Sequence, residues 1–200
     1  MSPQAGVTEV LEVDLLRHGE PVGGLRYRGD GVDDPLSETG WRQMWAAVEG
    51  APGWVRIVSS PMRRAHAFAA ALAERLGIAC TTDPRLREVG MGAWEGLTRE
   101  QVQAADAQAF AAYYANPVVG RPPGAESLES LCLRVNAALD DLRGDGPLLV
   151  VAHAGVMRAA IARAVEGSAA AMMRIPVPYA GMTRLRRDAR GWALVGHSIG

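Results

Sequence analysis

The chain has 200 residues, a net charge of −1 at neutral pH and a hydrophobic fraction of 48%, which indicates an ordinary globular protein with no nucleic-acid or membrane partner. All 21 basic side chains are arginine, so Schiff-base chemistry and a Walker-type phosphate lysine are excluded. Two cysteines are too few for a disulfide framework and no signal peptide precedes the first apolar run, so we expect a cytoplasmic protein whose oligomeric state the sequence leaves open.

Apolar runs alternate with amphipathic helical patterns, which predicts an α/β, three-layer sandwich with a mostly parallel central sheet and helices on both faces. The predicted strands are, in chain order, 10–16, 54–59, 78–82, 147–152 and a hairpin of 182–187 with 192–197. A helix capped by Ser37 follows the first strand, and a second helix begins at Pro61 and ends before Gly77. Further helices are predicted over 98–114, 126–142 and 155–165.

The stretch of about 95–124 contains no clear strand and lies between two of these sheet units. It carries aromatic and proline residues, namely Tyr113, Tyr114, Pro117, Pro122 and Pro123. We interpret it as a short lid insertion in a single domain spanning residues 1–200.

Polar residues follow the first strand directly, where Arg17, His18 and Gly19 end an apolar run. Ligands of open α/β sheets bind at the carboxyl ends of the strands. A histidine beside an arginine at such an end suits a nucleophile next to an anion clamp. Because a three-residue match is common by chance, the same residues are also compatible with a strand that merely ends in polar side chains.

Two later strand ends strengthen the first interpretation. The strand 54–59 leads to Arg63 and Arg64 in the first turn of a helix, where a cation is locally unfavourable unless it has an anionic partner. We assign that role to Arg64 and expect Arg63 to be solvated. The strand 147–152 ends in His153, and Ala154 and Gly155 open a helix whose backbone N–H groups can face an anion.

With these motifs in place, the chain resembles the histidine phosphatase superfamily, the phosphoglycerate-mutase-like proteins. The matching segments occur in the family's order: Leu15-Leu-Arg-His-Gly-Glu20, Pro35-Leu-Ser-Glu-Thr-Gly40, Ser60-Pro-Met-Arg-Arg-Ala65, Leu86-Arg-Glu88 through Trp94-Glu-Gly96, and Val151-Ala-His-Ala-Gly-Val156. Each is a weak signal alone, and together they are specific. Pro21 stands where relatives commonly have Thr, and Gly24 stands where they often have Asn.

The resemblance implies a role for each matching residue. His18 is the nucleophile that becomes phosphohistidine, and Glu88 is the general acid for the leaving oxygen. The phosphate pocket is formed by Arg17, Arg64 and His153, together with the start of the helix at Ala154. His153 is also a catalytic residue by this resemblance. No metal and no cofactor is implied.

Elementary chemistry agrees with these roles. A nucleophilic imidazole must be neutral, and nearby arginine charge lowers its pKa from about 6.5. Its other ring nitrogen must be held by an acceptor, for which a backbone carbonyl would serve. The arginines neutralise phosphate charge, so the transfer needs no metal.

Candidate substrate-binding residues lie around this centre. We place Glu20, Arg28, Tyr113, Tyr114 and Glu126 there, with Arg121 on the insertion. Segments 20–40 and 122–127 are similar to α-ribazole phosphatases of cobalamin synthesis, and the tyrosines could stack on a flat base. We therefore expect α-ribazole 5′-phosphate to be a better substrate than 3-phosphoglycerate. The alternative for both tyrosines is packing of the lid. Arg28 could instead be solvated, Glu20 could orient a pocket arginine or cap locally, and Glu126 could be a helix cap.

Three rival functions remain open on sequence. A broad-specificity phosphatase or a phosphoglycerate-type mutase would use the same pocket, and a short insertion favours hydrolysis because it offers little to exclude water. A metallohydrolase would use the histidines as ligands, but two arginines argue against a cation there. A non-catalytic phosphate-binding module would need neither nucleophile nor acid.

Overall fold

The computed structural model describes residues 10–51 and 53–197. Six strands form one mixed sheet in the order β3-β2-β4-β1-β5-β6. Their bounds are β1 Leu11–Arg17, β2 Arg56–Ser59, β3 Ala79–Thr82, β4 Leu148–Ala152, β5 Met182–Asp188 and β6 Gly191–His197. The strands β3, β2, β4 and β1 are parallel, and the predicted hairpin is added antiparallel along β1.

Within the described residues, the helices are α1 Glu38–Ala47, α2 Arg63–Leu76, α3 Arg99–Ala105, α4 Ala107–Ala115, α5 Leu128–Asp140, α6 Ala154–Ala164 and α7 Ala169–Met172. Single 3₁₀ turns occupy Pro84–Leu86 and Gly92–Trp94. None of the helices within residues 10–51 and 53–197 has the length and apolar character to cross a membrane.

Strand side chains alternate between the two faces of the sheet, which explains the three layers. In β4, Leu148 and Val150 pack against α5 and α6, whereas Leu149 and Val151 pack in a second core with Met44 of α1 and α2 residues such as Phe68. A strand buried on both faces must be apolar throughout, as this one is. The predicted three-layer α/β fold is confirmed.

Three details of the prediction were wrong. The second strand begins at Arg56, where its pairing with β3 and β4 starts, and Trp54 precedes it as a buried side chain whose Nε1 donates to Asp14 Oδ2 at 2.9 Å. Helix α2 begins at Arg63, two residues after Pro61. The predicted helix over 98–114 is two helices, because Asp106 leaves helical geometry and its Oδ1 accepts the N–H of Ala109, so that it caps α4.

A third, small hydrophobic core lies between residues 91 and 113. Helices α3 and α4 pack Val102, Phe110 and Tyr113 against Met91 and Trp94. Trp94 lies in the second 3₁₀ turn. Tyr113 of this cluster lines the same pocket as His18, so the cluster lies beside the carboxyl ends of the strands.

Candidate active site

Three parallel strands end at one edge of the sheet and each is followed by a site residue. The register pairs Arg17 of β1 with Ala152 of β4, and Ser59 of β2 with Val151 of β4. The next residues continue the pairing: His18 N–H donates to Ala152 O at 3.0 Å, and Ser60 N–H donates to Val151 O at 2.9 Å. The parallel strands therefore place His18, Ser60 and His153 next to one another at the same edge of the sheet.

The His18 ring is buried and has a defined tautomer. It is 4% exposed, and its Nδ1 lies 2.7 Å from Gly19 O. A carbonyl only accepts, so Nδ1 carries the proton and Nε2 keeps its lone pair. The expected backbone acceptor is confirmed. Gly19 must be glycine, since a Cβ there would lie 2.3 Å from Gly40 O at the start of α1.

Two arginine side chains lie beside His18, and backbone carbonyls hold both. Arg17 Nη1 donates to Val177 O at 2.6 Å, and its guanidinium carbon lies 4.1 Å from the centre of the Tyr179 ring. Arg64 is 1% exposed and donates to Val32 O at 2.8 Å and to Gly29 O at 2.9 Å. The Nε atom of each is buried without a hydrogen-bond partner among the described residues.

His153 lies behind His18, with the ring centroids 5.2 Å apart. It is completely buried and precedes α6, and its Nε2 lies 2.8 Å from Ser60 Oγ. Its Nδ1 is buried and has no partner among the described residues. Unpartnered buried nitrogens are uncommon in folded proteins. Three of them belong to Arg17, Arg64 and His153. Arg17 and Arg64 line the same pocket as His18, and the His153 ring contacts the His18 ring, which makes this pocket the candidate anion site.

Burial and positive charge together keep both histidines neutral. Burial, then the charges of Arg17 and Arg64, lower the pKa of His18 well below its ordinary value of 6.5. Burial and Arg64 do the same to the pKa of His153. Protonation of either ring would add a third positive charge to a buried pair of arginines. His18 is therefore in its nucleophilic form at neutral pH.

This electrostatic arrangement predicts how the histidines titrate. Because the folded pKa values are lowered, we expect the His18 and His153 carbon signals of ¹³C-histidine-labelled protein to stay in the neutral position as the pH falls through 6.5. In urea the same signals should titrate near about 6.5. Arg64→Met should move the His18 midpoint back towards that value. A wild-type midpoint at or above 6.5 would contradict the arrangement.

Glu88 lies on the wall of the same pocket and is fixed by the start of α6. Its Oε1 accepts the N–H groups of Val89 and Gly155, both at 3.0 Å. A Cβ on residue 155 would lie 2.4 Å from that oxygen, so the glycine is required for this contact. The helix terminus that we expected to face an anion therefore holds Glu88 Oε1, and Ala154 itself lines the pocket.

The pocket has a volume of about 210 Å³. Besides the centre just described, arginine and tyrosine side chains line it: Arg26, Tyr27, Arg28, Tyr113, Arg121, Arg158 and Tyr179. A larger cavity of about 670 Å³ lies at the other ends of α1 and α2, between Trp45, Trp54 and Arg75. That cavity contains no histidine, so the smaller pocket is the one with reactive chemistry.

A family model described as "Histidine phosphatase superfamily (branch 1)" matches residues 13–199. The chain belongs to the histidine phosphatase superfamily. The chain is 33% identical over 177 residues to the glucosyl-3-phosphoglycerate phosphatase of Mycobacterium tuberculosis, covering 82% of this chain and 75% of that protein. It is 30% identical over 198 residues to "Probable phosphoglycerate mutase GpmB" of Yersinia pestis, covering 95% and 91%.

Solved structures agree with this membership. A mycobacterial glucosyl-3-phosphoglycerate phosphatase superimposes with a TM-score of 0.82 at 30% identity, over 94% of this chain and 98% of that one. The α-ribazole phosphatase of Shigella flexneri superimposes with a TM-score of 0.77 at 22% identity, over 92% and 94%, which shows a shared fold. The chain is thus a histidine phosphatase superfamily enzyme, a phosphatase or a mutase.

Of the substrate-binding residues expected from the sequence, some line the pocket and others do not. Glu20 Oε1 accepts from the hydroxyl of Ser37, the cap of α1, and Glu20 does not line the pocket. Tyr113 lines the pocket but is 8% exposed and packs edge-on against Trp94. Tyr114 is 48% exposed, lies outside the pocket and meets the Tyr27 hydroxyl. The alternative that the tyrosines pack the lid fits these positions.

Glu126 is also outside the pocket, where it forms an ion pair with Arg134. Arg134 Nε and Nη2 each lie 2.7 Å from one of its carboxylate oxygens. The same guanidinium donates to the carbonyls of Arg85, Arg87 and Glu88 at 2.6, 2.7 and 3.1 Å. The pair therefore fixes the loop that carries Glu88.

Arg28 and the two histidines not yet described, His66 and His197, have structural partners. Arg28 lines the pocket, but its Nε lies 2.9 Å from Asp34 Oδ2. His66 Nδ1 lies 3.0 Å from Ser59 Oγ, and His197 is held by Thr183 and Pro176. Arg63 is exposed beside the buried Arg64, as expected. Residues 10–51 and 53–197 contain no group of three or more metal-ligating side chains placed to share an ion.

Sequence reasoning assigned no role to Ser60, Arg134, Arg158 and Tyr179. Ser60 carried a usable signal, because it follows β2 directly, as His18 and His153 follow their strands. The others lie on α5, on α6 and in the segment before β5, where no local pattern distinguishes them from other polar residues.

Proposed function

We propose that this enzyme hydrolyses phosphomonoesters through a phosphohistidine on His18. One observation carries the proposal: His18 Nε2 is an unprotonated nitrogen, and the guanidinium groups of Arg17 and Arg64 line the same pocket. A phosphate dianion would accept hydrogen bonds from these arginines while its phosphorus faces Nε2.

The first step transfers the phosphoryl group. The Nε2 lone pair of His18 attacks phosphorus, the bond from phosphorus to the ester oxygen breaks, and that oxygen takes a proton. Glu88 would supply the proton from Oε2, since Oε1 is occupied by two backbone N–H groups. The arginines balance the charge that develops on the phosphoryl oxygens.

The second step releases phosphate. A water molecule loses a proton to Glu88, attacks the phosphohistidine and displaces His18 Nε2, which regains its lone pair. Proton transfer thus runs in both directions through one carboxyl group. No step requires a metal ion.

Hydrolysis is favoured over mutase chemistry. A mutase must retain the phosphohistidine while its substrate reorients, which requires exclusion of water. The insertion here amounts to two short helices, and we propose that it forms one wall of the pocket in a single domain. The relative described as a probable phosphoglycerate mutase supports the mutase alternative. The experiment must therefore distinguish hydrolysis from mutase activity.

The narrower prediction, that α-ribazole 5′-phosphate is a better substrate than 3-phosphoglycerate, is not supported by the positions of the tyrosines. It relied on tyrosines that could stack on a flat base, and Tyr113 is packed while Tyr114 lies outside the pocket. It stays a prediction that a substrate panel can test.

The experiment combines rapid quench with a panel of phosphomonoesters. We expect a ³²P label that is acid-labile and base-stable, as phosphohistidine is, and phosphate release that a chelator leaves unchanged. The panel should contain 3-phosphoglycerate, α-ribazole 5′-phosphate and an aryl phosphate. Net formation of 2-phosphoglycerate faster than phosphate release would establish a mutase, and chelator inactivation reversed by a divalent ion would refute the mechanism. Phosphate binding without turnover would indicate a binding module.

A further inference from the structure

The segment before β5 contacts the active centre with its backbone and with one side chain. Residues 177–181 run beside the end of β1, where Val177 O accepts from Arg17 Nη1 at 2.6 Å. Gly181 O accepts the backbone N–H of Arg17 at 3.0 Å. Between these two contacts, Tyr179 lines the pocket. The segment therefore holds Arg17 at both its backbone and its guanidinium group.

Ala180 in this segment has a backbone conformation that is unfavourable for a residue with a Cβ. Its φ is 54°, in the left-handed region. Its N–H donates to His18 O at 3.3 Å, which ties the turn to the backbone of the nucleophile. Strain of this kind persists only where the surrounding structure determines it, and it clusters at functional sites. Because Ala180 directly follows Tyr179, the strained turn also fixes where the tyrosine ring lies.

The Tyr179 ring lies against two side chains of the pocket. The guanidinium carbon of Arg17 is 4.1 Å from the centre of the ring. The ring centroid of His18 is 5.7 Å away, with the two planes tilted by 46°. Burial lowers the pKa of Arg17, and the neighbouring Tyr179 acts in the opposite direction. The tyrosine side chain therefore stabilises the guanidinium group as a cation beside His18.

An aromatic ring restrains the guanidinium group of Arg17 in a way that a carboxylate could not. None of the ion pairs within residues 10–51 and 53–197 includes Arg17. A carboxylate partner would orient the guanidinium group but would occupy the N–H groups that a phosphate needs. A ring contacts the flat face of the group and leaves the N–H donors in its plane free.

We propose that Tyr179 is a positioning residue whose ring face holds the Arg17 guanidinium group in the orientation that receives the phosphate. This inference rests on the proposed function and adds a residue to it. Arg64 has no need of such a ring, because the carbonyls of Val32 and Gly29 hold it. Tyr179 acts through Arg17 and takes no part in making or breaking bonds.

The test begins with two substitutions of Tyr179. Tyr179→Leu removes the ring and should lower kcat/KM for p-nitrophenyl phosphate about 10-fold, the effect of one partly desolvated cation–π contact. Tyr179→Phe keeps the ring and should stay within about threefold of the wild type. Unchanged kcat/KM in the leucine variant would overturn the proposal. A loss in the phenylalanine variant as large as in the leucine variant would also overturn it, because the hydroxyl would then be the important group.

A double-mutant cycle with Arg17 separates positioning from general support of the pocket. Arg17→Met alone should lower kcat/KM by about 100-fold or more. Adding Tyr179→Leu should then cost less than about twofold, because the side chain that it positions is already gone. A further loss of about 10-fold in the Arg17→Met background would show that Tyr179 acts independently of Arg17 and would overturn the proposal.

The control is an arginine stacked on an aromatic ring outside the pocket. The guanidinium carbon of Arg75 lies 5.2 Å from the centre of the Trp45 ring, and both residues line the larger cavity at the other ends of α1 and α2. Trp45→Leu removes a ring of the same kind and should leave kcat/KM near the wild-type value. Near-UV circular dichroism should show that each variant is folded.

Two further outcomes distinguish this proposal from the function on which it rests. If p-nitrophenyl phosphate forms no phosphohistidine on the wild type, the proposed function fails whatever the variants do. Phosphohistidine formation combined with unchanged turnover in Tyr179→Leu would remove the positioning role alone. If Tyr179→Leu does not fold, Tyr179→Phe decides by itself, since a loss of about 10-fold there would overturn the role of the ring.

Discussion

His18→Ala should abolish turnover and phosphoenzyme together. The variant loses the only nitrogen that the proposed reaction can phosphorylate, and loss of a covalent nucleophile reduces turnover by at least about 10⁴-fold. Rapid quench with ³²P-labelled substrate should show no protein-bound label. Steady-state phosphate release should fall to the level of a blank.

The control is another histidine on a neighbouring element. His66 is half-buried on α2 and meets Ser59 outside the pocket, so His66→Ala should keep near-wild-type turnover. Cooperative unfolding of His18→Ala, followed by near-UV circular dichroism, would show that the fold is retained. Label trapped on any other residue of the His18 variant would assign the nucleophile elsewhere.

Glu88→Gln should slow esters according to their leaving groups. Glutamine keeps an oxygen for the N–H groups of Val89 and Gly155, so the loop should stay in place while the transferable proton is lost. General acid catalysis is worth about 10²–10⁴-fold for a poor leaving group and little for a good one. Alkyl phosphates should therefore lose about that factor, and aryl phosphates such as p-nitrophenyl phosphate should lose much less.

A plot of rate against leaving-group pKa gives the measurement. It should be steeper for Glu88→Gln than for the wild type. Glu20→Gln is the matched carboxylate control, since Glu20 meets Ser37 and does not line the pocket, and it should leave the slope unchanged. Parallel plots for wild type and Glu88→Gln would show that Glu88 is not the general acid.

The centre of the site was predictable because it is encoded locally. His18 and His153 each follow an apolar strand, and a parallel sheet brings such positions to one edge whatever the rest of the chain does. The unfavourable position of a cation at the start of α2 applies to Arg63 and Arg64 alike, and the family resemblance assigned the site to Arg64, which is buried while Arg63 is exposed.

The rim was not predictable, because its contacts span long stretches of sequence. Glu126 meets Arg134 of α5 rather than a substrate, and Arg134 in turn holds the carbonyl of Glu88, 46 residues away. Tyr113 and Tyr114 are adjacent, yet one is buried against Trp94 and the other is exposed. Which side of α4 faces the core depends on the break at Asp106, and helical periodicity alone did not show that break.

The register of three strands has a consequence for how this enzyme can be assayed. His18, Ser60 and His153 are aligned by the pairing of β1, β4 and β2. A slip of one residue would shift a strand by about 3.3 Å and turn its side chains to the opposite face. A chain misfolded in this way could keep its helices and its compactness but would have no intact centre. Specific activity measured during refolding therefore reports the fraction of molecules with the native strand register. Far-UV circular dichroism would not distinguish these molecules from misregistered ones.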